Sequence, residues 1–137
     1  MTLQLSPYLN FAGNTREAME FYHDVFGGRL DVLTFGDMKL DDMPAEGVMH
    51  AALVTDQFSL FASDAMPGAE QSWNGTRVYL AFMGDDVETL TVWFYRLAEH
   101  GRIAMPLEKQ MWGDTYGQVV DRFGIEWMVN ISGGEGE

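Results

Sequence analysis

Two stretches of the chain carry apolar residues at helical spacing, and the segments between them read as short strands and turns. In the first stretch Ala18, Phe21, Tyr22 and Val25 recur at i, i+3, i+4 and i+7, the pattern of one buried helix stripe. Asn14 stands where a cap belongs, with Glu17 three residues on in a box-like start. Gly27-Gly28 ends the helix, because glycine tolerates the left-handed conformation a helix terminus asks for. In the second stretch Val87, Leu90, Phe94 and Leu97 form the stripe, Asp85 and Asp86 are candidate caps, and His100-Gly101 closes it. Before the first helix, residues 3–11 read as a strand, and Pro7 inside it favours an edge or early-strand position. After it come strands at 29–35, 47–54 and 58–63, with Thr55-Asp56-Gln57 short enough for a hairpin between the last two. Residues 76–83 precede the second helix, and strands at 102–107, 115–121 and 125–131 follow it. Polar stretches at 36–46 and 64–75 read as loops, and the tail 132–137, without an apolar residue, as frayed.

The order is therefore strand–helix–strand–strand–strand, twice over. Neither half has much of a core alone. The fold class expected is α+β: two βαβββ modules in one chain, with curved mixed sheets forming a concave trough and helices on the outer faces. A single domain spans 1–137, with module one at about 1–70 and module two at about 74–131.

Composition narrows the function classes. With 8 Lys and Arg against 21 Asp and Glu, the net charge is −13. Such a charge repels phosphate backbones and anionic membrane surfaces, so neither nucleic acid nor membrane is an expected partner. Hydrophobic residues at 47% and aromatics at 13% mark a globular chain. A chain of this size buries roughly 68% of its unfolded surface and needs no metal or disulfide staple. The absence of cysteine removes disulfides, thiolate zinc and a Cys nucleophile, and fits a reducing cytoplasm. The opening MTLQLSPYLNF has neither a basic nor an apolar leader region, and no apolar run approaches the ~18 residues of a membrane span. A cytoplasmic location is the expectation.

Specific strings carry a resemblance. Pro7-Tyr8-Leu9, Phe11-Ala12-Gly13-Asn14, Glu17-Ala18, Phe21-Tyr22 and Phe26-Gly27-Gly28 open the chain. Met49-His50-Ala51 and Ser63-Asp64-Ala65-Met66-Pro67-Gly68 follow. Trp112-Gly113-Asp114-Thr115-Tyr116-Gly117 and Asp121-Arg122-Phe123-Gly124-Ile125-Glu126-Trp127-Met128-Val129-Asn130 close it. Together, in this order, they resemble the PhnB-like branch of the vicinal oxygen chelate superfamily, which contains glyoxalases, bleomycin-resistance proteins and extradiol dioxygenases. The resemblance implies the doubled βαβββ fold and a homodimer. Some relatives carry methyltransferase names, but this chain has no glycine-rich strand-to-helix loop to seat S-adenosylmethionine.

Metal-using members of that superfamily hold a divalent cation through His and Glu on paired strands, leaving positions open for substrate oxygens. The resemblance puts the corresponding slots at Pro7, Tyr79 and Met128, and a fourth on the strand 58–63, which has no carboxylate or imidazole. Proline has no donor atom, and a phenol or a thioether suits a hard divalent ion poorly. The expected protein therefore uses no metal or other cofactor and binds a small apolar or aromatic molecule. The alternative is a metal-dependent lyase, isomerase or dioxygenase, for which a divalent metal would be required.

The candidate ligand-binding residues are His50, Tyr79, Trp112, Tyr116, Glu126 and Met128. His50 shares a face with Val48, Ala52 and Val54 by alternation and is the best candidate for an acid, base or anchor, since imidazole titrates near neutrality. The competing reading is a structural histidine bonded to backbone or to Asp64. His23 and His100 read as solvated or helix-end residues, and Asp64 and Asp121 as turn residues. If Ile125, Trp127 and Val129 pack under the helices, Glu126, Met128 and Asn130 line the concave face. Trp112 and Tyr116 form either an aromatic wall for a flat ligand or a dimer seam. Met38, Met43, Met66, Met105 and Met111 fall in or beside loops, as adaptable surface or as cover for the core. The loop 36–46 is a candidate lid.

Overall fold

A computed structural model of the chain describes residues 5–40, 42–65, 68, 73 and 78–133. Parts of five expected segments lie outside them: residues 3–4 of the first strand, residue 41 of loop 36–46, most of loop 64–75 with Met66, the start of strand 76–83, and the end of the tail. The described chain runs β1 (Tyr8–Phe11), α1 (Thr15–Phe26), β2 (Arg29–Thr34), β3 (Val48–Val54), β4 (Ser59–Asp64), β5 (Leu80–Gly84), α2 (Val87–Ala98), β6 (Arg102–Lys109), β7 (Thr115–Val120) and β8 (Glu126–Ile131). It divides into two compact units, Met1–Trp73 and Asn74–Glu137. Each holds one βαβββ module, so the α+β class and the doubled order are as expected from the pattern.

In module one the sheet order is β1-β4-β3-β2, with β1 parallel to β4 and the other pairs antiparallel. Pro7 lies just before β1, an edge strand. Its carbonyl accepts from Phe61 N at 3.1 Å, and its missing N–H costs the ladder nothing there. The expected stripe Ala18, Phe21, Tyr22 and Val25 is buried, joined by Met19. It packs on the face formed by Leu9, Phe11, Ala51, Leu53, Leu60 and Ala62. The α1 cap differs from expectation, since the Asn14 side chain makes no capping bond. Asp64, at the end of β4, does the work: Oδ1 accepts from Thr15 N (3.2 Å) and Thr15 Oγ1 (2.6 Å). Its Oδ2 accepts from Val48 N (2.9 Å), so the carboxylate ties α1 to β3 and β4 rather than serving a turn. The 36–46 loop is held at its base by Phe35 N to Gly47 O and Gly36 N to Ala45 O, which prolong the β2–β3 hairpin.

Module two repeats the plan with order β5-β8-β7-β6, β5 being parallel to β8. Leu90, Phe94 and Leu97 pack against Val119, Trp127, Val129 and Ile131. Val87 departs from the expected stripe, being 59% exposed: it begins the helix, beside the solvent-facing Asp86 cap that accepts from Thr89 N. Gly117 lets Phe94 reach β7, since a Cβ there would lie 2.7 Å from the Phe94 ring. Asp121 serves the β7–β8 turn as expected, accepting from Phe123 N (2.9 Å) and Ile125 N (3.1 Å). Its other oxygen accepts from the buried indole of Trp127 at 2.8 Å. Met105 falls within β6 rather than in or beside a loop.

Candidate functional site

Each sheet has one face covered by its helix, and His50, Tyr116, Glu126 and Met128 stand on the other. In β3 the residues paired with Leu60 and Ala62 are Leu53 and Ala51, which face α1. His50 and Ala52 alternate with them and stand on the helix-free face, Ala52 opposite Phe61 and His50 opposite Leu33. Val48 does not share that exposure. The β2–β3 register shifts between Leu33 and Thr34, which breaks the alternation, and Val48 is buried.

His50 is not bonded to Asp64. Its Nδ1 lies 3.1 Å from the Tyr8 hydroxyl, and its ring stacks on Phe61 at 5.7 Å and 26°. Tyr8 completes the group, 5.8 Å from His50 and 6.4 Å from Phe61 between centroids. Three mutually tilted rings on three strands thus make an aromatic patch with one imidazole and one phenol, able to pack against an apolar ligand and hydrogen-bond its edge. Sequence reasoning missed Tyr8 and Phe61. Tyr8 alternates with Leu9 and Phe11, but Phe61 looked like one more core residue in an apolar run.

In module two, Trp127 and Val129 are buried under α2, and Glu126, Met128 and Asn130 take the opposite face, as the alternation implied. Ile125 lies before β8 and is only partly buried. Tyr116 pairs with Asn130, Gln118 with Met128 and Val120 with Glu126. The Tyr116 hydroxyl donates to Met128 Sδ at 3.5 Å and accepts from Gln118 Nε2 at 2.8 Å. Trp112, 61% exposed in the β6–β7 turn, meets Tyr116 edge-on at 6.4 Å. Asp114 anchors that turn, accepting from Asn130 Nδ2 and Gly133 N at 2.9 Å each. Trp112, Tyr116 and Met128 are therefore one cluster. Glu126 lies at the other end of β8, and Tyr79 immediately precedes β5, whose Leu80 pairs with Trp127 at that same end. Gln118 was missed, because a single polar residue between Gly117 and Val119 has no motif to mark it.

Of the other candidates, His23 sits in the last turn of α1 with Nε2 3.1 Å from Gly28 O. His100 follows α2 with a positive φ of 59°. A cavity of about 680 Å³ opens in module one between the start of α1 and the 44–47 segment. It is lined by Arg16, Glu17, Glu20, Glu46 and Asp64 among others, and by none of the six candidate ligand-binding residues.

Among the described residues, no three His, Asp or Glu side chains converge. Asp64 does extend β4 beyond the expected strand and supplies a carboxylate there, but it is committed to Thr15 and Val48 on the α1 side. Besides the Tyr8–His50 pair in one module and the Tyr116–Gln118–Met128 group in the other, the helix-free faces carry the carboxylates of Asp31, opposite Ala52, of Glu108, opposite Tyr116, and of Glu126. Among the described residues, no helix is long and apolar enough to cross a membrane.

Two helix-backed βαβββ modules of this order define a protein class. The chain belongs to the Glyoxalase/Bleomycin resistance protein/Dioxygenase superfamily, whose family model matches residues 4–129. It is 32% identical to Protein YjdN of Escherichia coli K12 over 142 residues, covering 94% of this chain and 95% of that one. Among solved structures it is similar to protein PA1353 of Pseudomonas aeruginosa (TM-score 0.81, 38% identity, 96% and 98% of the two chains). It also shares its fold with the PhnB protein of Bacillus cereus (TM-score 0.76, 21% identity, 95% and 100%).

Proposed function

We propose that this superfamily member is a metal-independent binding protein, which takes a small apolar or aromatic molecule on the helix-free faces of its sheets. The observation that carries the reading is the pair of ring clusters, Tyr8–His50–Phe61 and Trp112–Tyr116 with Met128, together with Pro7, Tyr79 and Met128 standing where the resemblance puts metal ligands. Such a surface gains from burying a planar apolar body, while a few polar groups orient its edge. The residues assigned to binding are His50, Tyr79, Trp112, Tyr116, Glu126 and Met128, with Tyr8 and Phe61 added beside His50. The −13 charge favours neutral over multiply anionic ligands. The protein is taken to act as a cytoplasmic homodimer.

The test is native mass spectrometry of the protein as purified, paired with a chemical-shift titration using neutral aromatic probes such as acetophenone and indole. Expected are shifts at the side chains of His50, Trp112 or Tyr116 that survive EDTA. Binding lost on chelation and restored by one equivalent of a divalent cation would overturn the reading in favour of a metal-dependent lyase, isomerase or dioxygenase.

A further inference from the structure

The Tyr116 hydroxyl is held between two partners of unequal strength. Gln118 Nε2 donates to its oxygen at 2.8 Å, while the phenolic proton goes to Met128 Sδ at 3.5 Å. Tyr116 and Gln118 are two apart on β7, so both leave the sheet on its helix-free face, while Gly117 between them is buried. A phenol has one proton to give. With the amide occupying the oxygen, that proton must be aimed elsewhere, and a thioether is a weak acceptor. A ligand oxygen replacing the sulfur exchanges a weak bond for a full one. The sulfur loses little, being content with apolar contacts. An amide donating to the phenol also polarises its O–H. Trp112 meets the Tyr116 ring edge-on at 6.4 Å and is 61% exposed, so much of its indole is open to a ligand.

From this we propose that Tyr116 is a hydrogen-bond donor set by Gln118 to recognise a neutral carbonyl oxygen on an aromatic ligand, with Trp112 as its stacking wall. The ligand class is aryl ketones, aldehydes or amides rather than aryl carboxylates. The Asp114 carboxylate in the adjoining turn and the −13 charge both oppose an anion. The proposal rests on the binding function proposed above and names its ligand class. Gln118 is a positioning residue, acting through Tyr116.

The experiment compares acetophenone with ethylbenzene, which keeps the ring and side-chain length but lacks the oxygen. Kd values are measured by NMR titration on the wild-type chain and on Tyr116→Phe, Gln118→Leu and Gln118→Glu, each checked for a native amide spectrum. Tyr116→Phe should weaken acetophenone about five-fold, the worth of one ordinary hydrogen bond, and leave ethylbenzene within about two-fold. Gln118→Glu replaces the amide donor by an acceptor that captures the phenolic proton, so it should lower the acetophenone preference as fully as Tyr116→Phe. Gln118→Leu should lower it partway. If both probes bind but their ratio is unmoved in all three variants, or Tyr116→Phe weakens both equally, the donor assignment is wrong while the binding function stands. If neither probe binds the wild-type chain, both fall together.

Discussion

Replacing Asp121 by alanine should cost module two about 4 kcal/mol, on the following count. Asp121 is 3% exposed and accepts from Phe123 N, Ile125 N and Trp127 Nε1. The most costly to orphan is the indole N–H of Trp127, whose side chain is 1% exposed and cannot turn to water. A buried donor left unsatisfied costs ~1–3 kcal/mol, and the higher end applies where a charged acceptor is lost. The amides of Phe123 and Ile125 belong to partly buried turn residues, so water can replace the carboxylate there at about 0.5–1 kcal/mol each. Asp121→Asn should fall between wild type and alanine. Its carbonyl can keep the two amides, but its NH2 then meets the indole N–H, donor against donor. Urea unfolding followed by tryptophan fluorescence is the assay, because Trp93, Trp112 and Trp127 of the four tryptophans lie in module two. A loss under about 1 kcal/mol for the alanine variant would refute the count. It would mean that the indole finds another acceptor, or that the turn does not depend on its carboxylate.

The remaining expectations concern module one, the metal and assembly. Asp64→Ala should destabilise module one by about 1–2 kcal/mol, the worth of a helix cap, and hydrogen exchange should rise first at Thr15 and Val48. The Thr34 backbone N–H, and next the Thr34 side chain, hold the Asp37 carboxyl below its ordinary value of 3.8. A folded value below the unfolded one means that this contact is fully present above pH 3.8 and is lost as pH falls through the depressed value. NMR titration of Asp37 should show it, and a midpoint at or above 3.8 would contradict it. Elemental analysis of tag-free protein should find Ni, Zn, Fe, Mn and Co all substoichiometric, and one equivalent of any, lost together with an activity on chelation, would be the contrary result. Sedimentation at micromolar concentration should give ~31 kDa, twice the chain, by closed two-fold pairing. The exposed Trp73 and Met111 motivate this, Met111 being 97% exposed, and a clean monomer would exclude it.

Periodicity along the chain was enough to place the helices and strands seen among the described residues, and their repetition. Amphipathic stripes report which side of an element meets a core whatever that core contains. The burial of Ala18, Phe21, Tyr22 and Val25, and the outward turn of Glu126, Met128 and Asn130, follow from this. Alternation failed where register did: the shift between Leu33 and Thr34 buried Val48 while leaving His50 on the helix-free face, and a bulge leaves no mark in a run such as Val48–Val54. Partners across strands were equally invisible. That Asp64 caps a helix 49 residues away, or that His50 sits between Tyr8 and Phe61, depends on which strands become neighbours. In module one β4 enters between β1 and β3, a sheet order decided by tertiary packing. His50, Trp112, Tyr116 and Met128 could be named as candidates from their own chemistry, whereas Tyr8, Phe61 and Gln118 could not, because their interest lies in the neighbours that the fold gives them. The hydrogen bonds of the site were decided by the fold, because a donor and an acceptor must be brought within about 3 Å before either has a role.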